Sequence, residues 1–405
     1  MKKQIAIILV LMLLMTGCHA PIEEIPQTTP TVPKTEPVIP EVTVTEPEAT
    51  AVPETVVYEQ QTMYAVSMPL VTEKYTAEDG NTVLSHTYQD MQLTIPDPDV
   101  ADNIIIDFLN RLDPVHSRAE DAAATAQQQY SSEIDWTPHY IDICYSPVRI
   151  DQVVLSLYGT DSFYIGEGRP VQLCCSSNYN LLTGEVLTLG SILSHVDAKE
   201  QLIDLVIQCA DTVADEAQLY DDYADYITER FDVEESFDEA WYFSETGVCF
   251  YFSPYEIAPY NQGIVTIEVP YSQLTGVILD DFFPPETEAA KGSVHCQNFD
   301  DADLTGYTQI AEIVTDTDGD HYFLYADGAV TDLRIETGSW EDGIVFIPDC
   351  TIFAAASLTP GDGIMIQTVI PEGVPLLRIS YCTGDETVYR FLIIDGRDNA
   401  VGLAE

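Results

Sequence analysis

The 405-residue chain is longer than one globular unit usually needs, and with 46% hydrophobic residues it can bury more than one core. Its 68 acids against 15 bases leave a formal net charge of -53, which argues against nucleic acid as a partner, because phosphate backbones are held by lysine and arginine. The electrostatic complement is a cation, either a basic protein or peptide or a divalent metal, unless the acidity serves solubility alone.

The N-terminal stretch MKKQIAIILVLMLLMTGCHA has a basic start at Lys2 and Lys3 and an apolar core from Ile5 to Met15. That core is too short for a permanent membrane helix, which needs ~20 apolar residues. Met15-Thr16-Gly17-Cys18 resembles the bacterial lipobox. The resemblance implies a signal peptide over residues 1–18, lipidation of Cys18, and a cell-membrane anchor facing the extracytoplasmic side. Residues 19–57 are dominated by Pro, Thr and Glu with no hydrophobic period, so they predict a disordered tether. In polyproline geometry, at ~3.1 Å per residue, such a tether reaches on the order of 100 Å.

Residues 58–285 predict an α+β domain, an antiparallel sheet packed with two long helices. Two β-rich runs, TMYAVSMPLVTEKYT and TVLSHTYQDMQLTIP, flank a turn at Glu78-Asp79-Gly80-Asn81. A helix opens near Asp99, with Val100, Ile104, Ile105, Phe108, Leu109 and Leu112 on one face. Asp113-Pro114 is expected to interrupt or kink it before an Ala/Gln-rich continuation ending near Tyr130. Strands are expected at Tyr140 to Ser146, Val153 to Tyr158 and Val171 to Asn178. A second helix starts near Asp197, turns Leu202, Leu205, Val206, Cys209 and Val213 inward, and continues into DEAQLYDDYADYITERFDVEESFDEA. Residues 286–405 predict a small all-β, sandwich-like domain, punctuated by Asp-Gly turns at 318, 327, 342, 362 and 395. DTDGDHYFLYADG misses the order of a calcium loop, because Gly319 precedes Asp320, and reads as a hairpin turn.

Beyond Cys18 there are eight cysteines, enough for about 105 pairings if all are joined. No CxxC spacing occurs, and most lie in apolar runs, so mostly free buried thiols are the expectation.

The sequence carries none of G-x-S-x-G, H-E-x-x-H or G-x-x-x-x-G-K-[ST], and its seven histidines are dispersed. The chain is therefore expected not to be an enzyme and to hold neither cofactor nor metal. Two stretches stand out for binding. The acidic run has eleven acids offset by Arg230 alone, and Tyr220, Tyr223 and Tyr226 recur beside Asp221, Asp222 and Asp225. It reads either as a solvated helix face or as a docking surface, with tyrosine as the interface anchor. The second, FYFSPYEIAPYNQG from Phe250 to Gly263, leaves Tyr255, Glu256 and Tyr260 after its strand ends and turn residues are assigned. Corner packing is one reading and ligand contact the other.

The stretch VCFYFSPYEIAPYNQGIVTIEVPYSQL, Val248 to Leu274, resembles the signature of the extracytoplasmic domain of RsiV-type lysozyme-sensing anti-sigma factors, found also near some peptidoglycan deacetylase domains. NYNLLTGEVLTLGSIL, Asn178 to Leu193, is similar to that family's segment before its long helix, and the resemblance covers about Tyr64 to Ile278. It implies an α+β fold and protein binding, with lysozyme as the ligand class. Two departures matter. A lipobox and tether stand where anti-sigma members have a transmembrane helix and a cytoplasmic region, and Gly166-Glu167-Gly168-Arg169-Pro170 lacks the histidine of the relatives' Gly-Gly-Ala-His-Pro-like stretch. The expected function is thus a surface lipoprotein that captures a cationic wall-active protein such as lysozyme; the alternative is a peptidoglycan-processing or carbohydrate-binding envelope protein.

Overall fold

The computed structural model describes residues 63–131, 136–166, 168–214, 216–232, 240–285, 290–342, 345–370, 375–395 and 400–404. The chain divides into Met1–Glu59 and Gln60–Glu405, and every described residue belongs to the second unit. Cys18, the signal segment and the tether lie outside the described residues.

In chain order the elements begin with β1 (Ala65–Ser67), β2 (Leu70–Thr76), β3 (Thr82–Gln89), β4 (Gln92–Thr94) and α1 (Pro98–Gln129). They continue with β5 (His139–Ile150), β6 (Val154–Tyr164), β7 (Val171–Asn180), α2 (Ala198–Val213) and α3 (Tyr223–Asp232). A short β8 (Trp241–Phe243) leads into β9 (Gly247–Phe252) and β10 (Val265–Pro270). The C-terminal strands are β11 (Val294–Asn298), β12 (Gln309–Val314), β13 (Asp320–Ala326), β14 (Val330–Glu341), β15 (Val345–Leu358), β16 (Asp362–Thr368), β17 (Leu377–Thr383), β18 (Glu386–Asp395) and β19 (Ala400–Ala404). This is an α+β chain with several largely antiparallel sheets, a few helices and an all-β C-terminal region.

The Asp97 carboxylate caps α1 by accepting from the Asp99 and Val100 amides at 3.0 and 3.3 Å. The helix runs unbroken through Pro114, against expectation. Phe108, Leu112, Val115 and Ala119 continue one buried stripe across the proline, while Pro114 itself is exposed. The carbonyl left without its amide partner therefore faces water, and burial on the opposite side outweighs the lost bond. This helix packs on a sheet of order β2-β3-β5-β6-β7, in which β3 and β5 run parallel and the other neighbours antiparallel.

A second core gathers α2, α3 and the three-stranded sheet β10-β9-β8. The predicted long second helix is two. It ends at Val213, and α3 resumes only at Tyr223, after a turn in which Gln218 takes a left-handed φ of 51°.

The C-terminal strands form a four-stranded sheet, β11-β13-β16-β12, and a seven-stranded one, β19-β18-β17-β14-β15-β1-β4, which bury a common core. The second recruits β1, Ala65 lying opposite Ala355, so strands expected in 58–285 and 286–405 share one sheet. Two local expectations fail here. Asp316 to Gly319 form a turn, but β12 and β13 are not hairpin partners, because β16 lies between them and pairs with β12 in parallel. Asp362-Gly363 opens β16 instead of making a turn; the Asp362 carboxylate accepts from the Thr359 amide and hydroxyl at 3.1 and 2.6 Å.

Polar side chains join the sheets. Gln89, 1% exposed, donates to the carbonyls of Met68 and Tyr145 at 3.0 and 2.8 Å. Arg149, equally buried, donates to Asp151, the Tyr271 hydroxyl and the Phe282 carbonyl. Arg334 reaches from β14 to the carbonyls of Pro147 and Val148 and to the carboxylates of Asp332 and Glu245. A disulfide, Cys144 to Cys350, ties β5 to β15. The other six described cysteines are free thiols, and burial pushes Cys249 up to about 11 and Cys175 and Cys296 up to about 12, keeping them protonated.

Candidate functional site: an acidic, tyrosine-bearing corner

The corner grows out of β9, whose six residues are all buried. Phe250 and Phe252 pack into the helical core, and at Ser253 the chain turns. The turn closes through its own backbone: the Glu256 amide donates to the Ser253 carbonyl at 3.0 Å, and the Tyr255 amide to that of Ala258 at 3.1 Å. Ile257 and Ala258 are buried at 0% and 1% exposure and pin it from below. Pro259 leads into a short 3-10 turn, Tyr260–Gln262, and Gly263, at φ 68°, releases the chain into β10. Such an angle favours glycine, which has no Cβ to clash.

Tyr255 also has a positive φ, 73°, without glycine's freedom. A non-glycine residue there costs roughly 1–2 kcal/mol, so the surroundings must hold it. Glu256 does much of the holding. Its Oε1 accepts the Tyr226 hydroxyl at 3.0 Å, and its Oε2 accepts Arg230 Nη1 at 3.1 Å and the Ser253 amide. The Arg230 guanidinium in turn lies 5.0 Å over the Phe252 ring and donates to the Tyr251 carbonyl at 3.3 Å. The consequence is outward: Tyr255 and Tyr260, 61% and 47% exposed, stack with centroids 5.4 Å apart and planes at 28°.

The acidic segment meets this corner directly. The Tyr220 amide donates to the Ile257 carbonyl at 2.9 Å, and α3 starts three residues later. Of the three tyrosines expected on one helix, Tyr220 lies in the turn before α3, and only Tyr223 and Tyr226 are helical. The Tyr223 hydroxyl donates to Asp211 on α2, which pushes its pKa up to about 12. Burial first, and then the Glu256 carboxylate, push Tyr226 up to about 12 as well. Asp221, Asp222 and Asp225 remain exposed.

The structure thus brings the two predicted groups into one surface while dividing their labour. Tyr226 and Glu256 point into the joint, Tyr223 ties α3 to α2, and Tyr255, Tyr260, Asp221, Asp222 and Asp225 face solvent. Sequence reasoning missed Arg230 and Asp211 as parts of the joint. Arg230 was detectable as the lone base in the acidic run, one helical turn beyond Tyr226. Chemically the surface offers aromatic faces and fixed negative charge. Glu256 is engaged with Arg230, Tyr226 and the backbone, so it is placed as a brace for the corner. Among the described residues no group of three or more His, Cys, Asp or Glu could hold a metal ion, and no helix is long and apolar enough to cross a membrane.

Residues 196–272, which span α2, α3, β8, β9, the corner and β10, match the family model described as a protein of unknown function, DUF3298. Two solved structures are similar to the chain. A DUF3298 family member from Bacteroides fragilis is 16% identical, covering 54% of this chain and 95% of that one with a TM-score of 0.40. A DUF3298 family protein from Pseudomonas aeruginosa is 14% identical, covering 55% and 97% with a TM-score of 0.37. No curated protein matches the chain.

Proposed function

We propose that this chain is a lipoprotein, anchored through Cys18 on the extracytoplasmic face of the cell membrane, which captures a cationic wall-active protein of the lysozyme class and catalyses no reaction. The observation that carries the reading is the exposed, stacked Tyr255/Tyr260 pair bonded through its corner to a segment bearing Asp221, Asp222 and Asp225. Rigid exposed tyrosines are effective interface anchors, and a net charge of -53 steers a basic partner toward them. The resemblance of Val248 to Leu274 to the lysozyme-sensing domain gives the ligand class, and the tether of residues 19–57 supplies reach from the membrane.

Titrating the purified protein with lysozyme at ~0.01 M and ~0.15 M salt tests the proposal, since the screening length falls from about 30 to about 8 Å between them. The expectation is saturable binding that weakens with salt. No binding at the lower salt would remove lysozyme as the ligand. Release of reducing ends or acetate from peptidoglycan by the protein would replace capture with wall processing.

A further inference from the structure

Two histidines pair between α1 and the five-stranded sheet. His86, on β3, is 0% exposed; its Nδ1 lies 2.7 Å from the Ile141 carbonyl of β5, and its Nε2 lies 2.9 Å from Nδ1 of the half-buried His116 on α1. These contacts fix the protons. A carbonyl only accepts, so His86 Nδ1 carries hydrogen; Nε2 of the neutral ring therefore accepts, and His116 Nδ1 must donate. The Nε2 of neutral His116 is then bare. A first proton settles there and leaves both hydrogen bonds whole. A second, on His86 Nε2, sets two N–H groups face to face and breaks the link to α1. Tyr88 touches both rings, 5.1 Å from His86 and edge-on at 4.6 Å from His116. Glu73, on β2, accepts the Tyr88 and Tyr75 hydroxyls at 3.1 and 3.4 Å. The other charges around the pair are Asp113 and Glu120 on α1 and Asp142 on β5, which accepts the Thr87 amide at 3.1 Å. Burial, and then His86, hold His116 below the ordinary histidine range against the pull of Glu73, Asp113 and Glu120.

The pair sits just beyond Pro114, where α1 lacks one backbone hydrogen bond. Before the proline the helix buries Val100, Ile104, Phe108 and Leu112; beyond it, Val115, Ala119, Ala123 and Ala126. The second half thus brings mostly single methyl groups to the core and leans on polar ties: the histidine pair, Arg118 to Asp161, and Gln127 to the Thr76 carbonyl.

We infer that His86 and His116 form an acid-released latch, which holds residues 115–129 of α1 on the sheet at neutral pH and lets that half open at Pro114 when the pair is charged. Because folded His116 resists its proton more than the unfolded chain does, the contribution is whole above about 6.5 and is lost as pH falls below it. Hydrogen–deuterium exchange of the purified chain, read by mass spectrometry at about pH 7.5 and about pH 5 and corrected for intrinsic exchange rates, follows the two halves of α1 separately. Protection of residues 115–129 is expected to fall roughly 10-fold or more at the lower pH, with residues 98–112 little changed. His116→Asn keeps a side-chain N–H for His86 Nε2 but takes up no proton, so its protection over 115–129 should stay near the neutral value at both pH values. His139, 3% exposed on β5 and also held low by burial, is untouched in that variant, so a fall that survives the substitution belongs to another group. Nitrogen NMR of the histidine-labelled wild type at about pH 7.5 should show hydrogen on Nδ1 of both rings, a reading that stands whether or not the variant folds. Equal protection of 115–129 at both pH values in the wild type, the same fall in His116→Asn, or hydrogen on Nε2 of either neutral ring overturns the inference.

Discussion

Replacing Glu256 by Ala removes one acceptor from three donors at once: the Tyr226 hydroxyl, Arg230 Nη1 and the Ser253 amide. A net hydrogen bond to a charged group is worth about 1.5–3 kcal/mol, and a neutral one about 1. The Arg230 and Glu256 side chains are 16% and 26% exposed, so water moderates their ion pair without cancelling it. The three share one carboxylate and do not add fully, which places the expected loss at about 3 kcal/mol. Glu256→Gln keeps an acceptor for the Ser253 amide and should lose about half as much, and Tyr226→Phe about 1 kcal/mol. Urea unfolding of each variant measures these losses. The Tyr226→Phe/Glu256→Ala double variant should show a coupling of about 1 kcal/mol, as expected for contacting groups. A Glu256→Ala loss below about 0.5 kcal/mol, with strictly additive double variants, would refute the assignment of Glu256 as the brace of the corner.

The Cys144–Cys350 disulfide spans 206 residues of sequence, and loop-closure entropy for so long a loop gives about 5 kcal/mol as an upper figure. Reduction, or the paired Cys→Ser variant, should lower unfolding free energy by about 2–5 kcal/mol; unchanged stability would mean that the bridge does not form. Glu245 is one group placed to make stability depend on pH near neutrality. Burial, and then the Asp332 carboxylate, raise it from 4.5 to about 7 against the pull of Arg334 and Arg149. Because the folded value lies above the unfolded one, this contribution is full below about 4.5 and is lost as pH rises through about 7. The side chain is 44% exposed and solvent screens it, so the span shrinks to about 1 kcal/mol. Glu245→Gln should flatten the stability profile between about pH 5 and pH 8, and identical profiles for the two proteins would exclude Glu245 as its source.

What the sequence revealed and what it concealed follow from the range of the interactions. The start of α1 was legible because the Asp97 cap, Pro98 and the first buried positions are neighbours. The passage of α1 through Pro114 was not, since it depends on which face meets the β-sheet. The corner's shape was legible because Pro254, Pro259 and Gly263 act locally. Its brace was not, because Glu256 meets an arginine 26 residues away. The break between α2 and α3 depends likewise on tertiary contact, the Tyr220 amide meeting Ile257. In the C-terminal region, Asp-Gly pairs predicted turns but could not tell a hairpin from the parallel pairing of β12 with β16, nor foresee that β1 would join β15. The Cys144–Cys350 pairing, one among many possible, is equally a product of the assembled sheets.

The measurement that bears most directly on the proposed role is lysozyme binding at low salt by the wild type and by Tyr255→Ala/Tyr260→Ala. Stability measured alongside confirms that the exposed pair can be removed without unfolding. Loss of two exposed interface aromatics should cost about 2–4 kcal/mol of binding, roughly 30-fold or more in Kd, with little change in stability. Unchanged affinity in the double variant, with lysozyme still bound, would contradict the assignment of this corner as the docking surface.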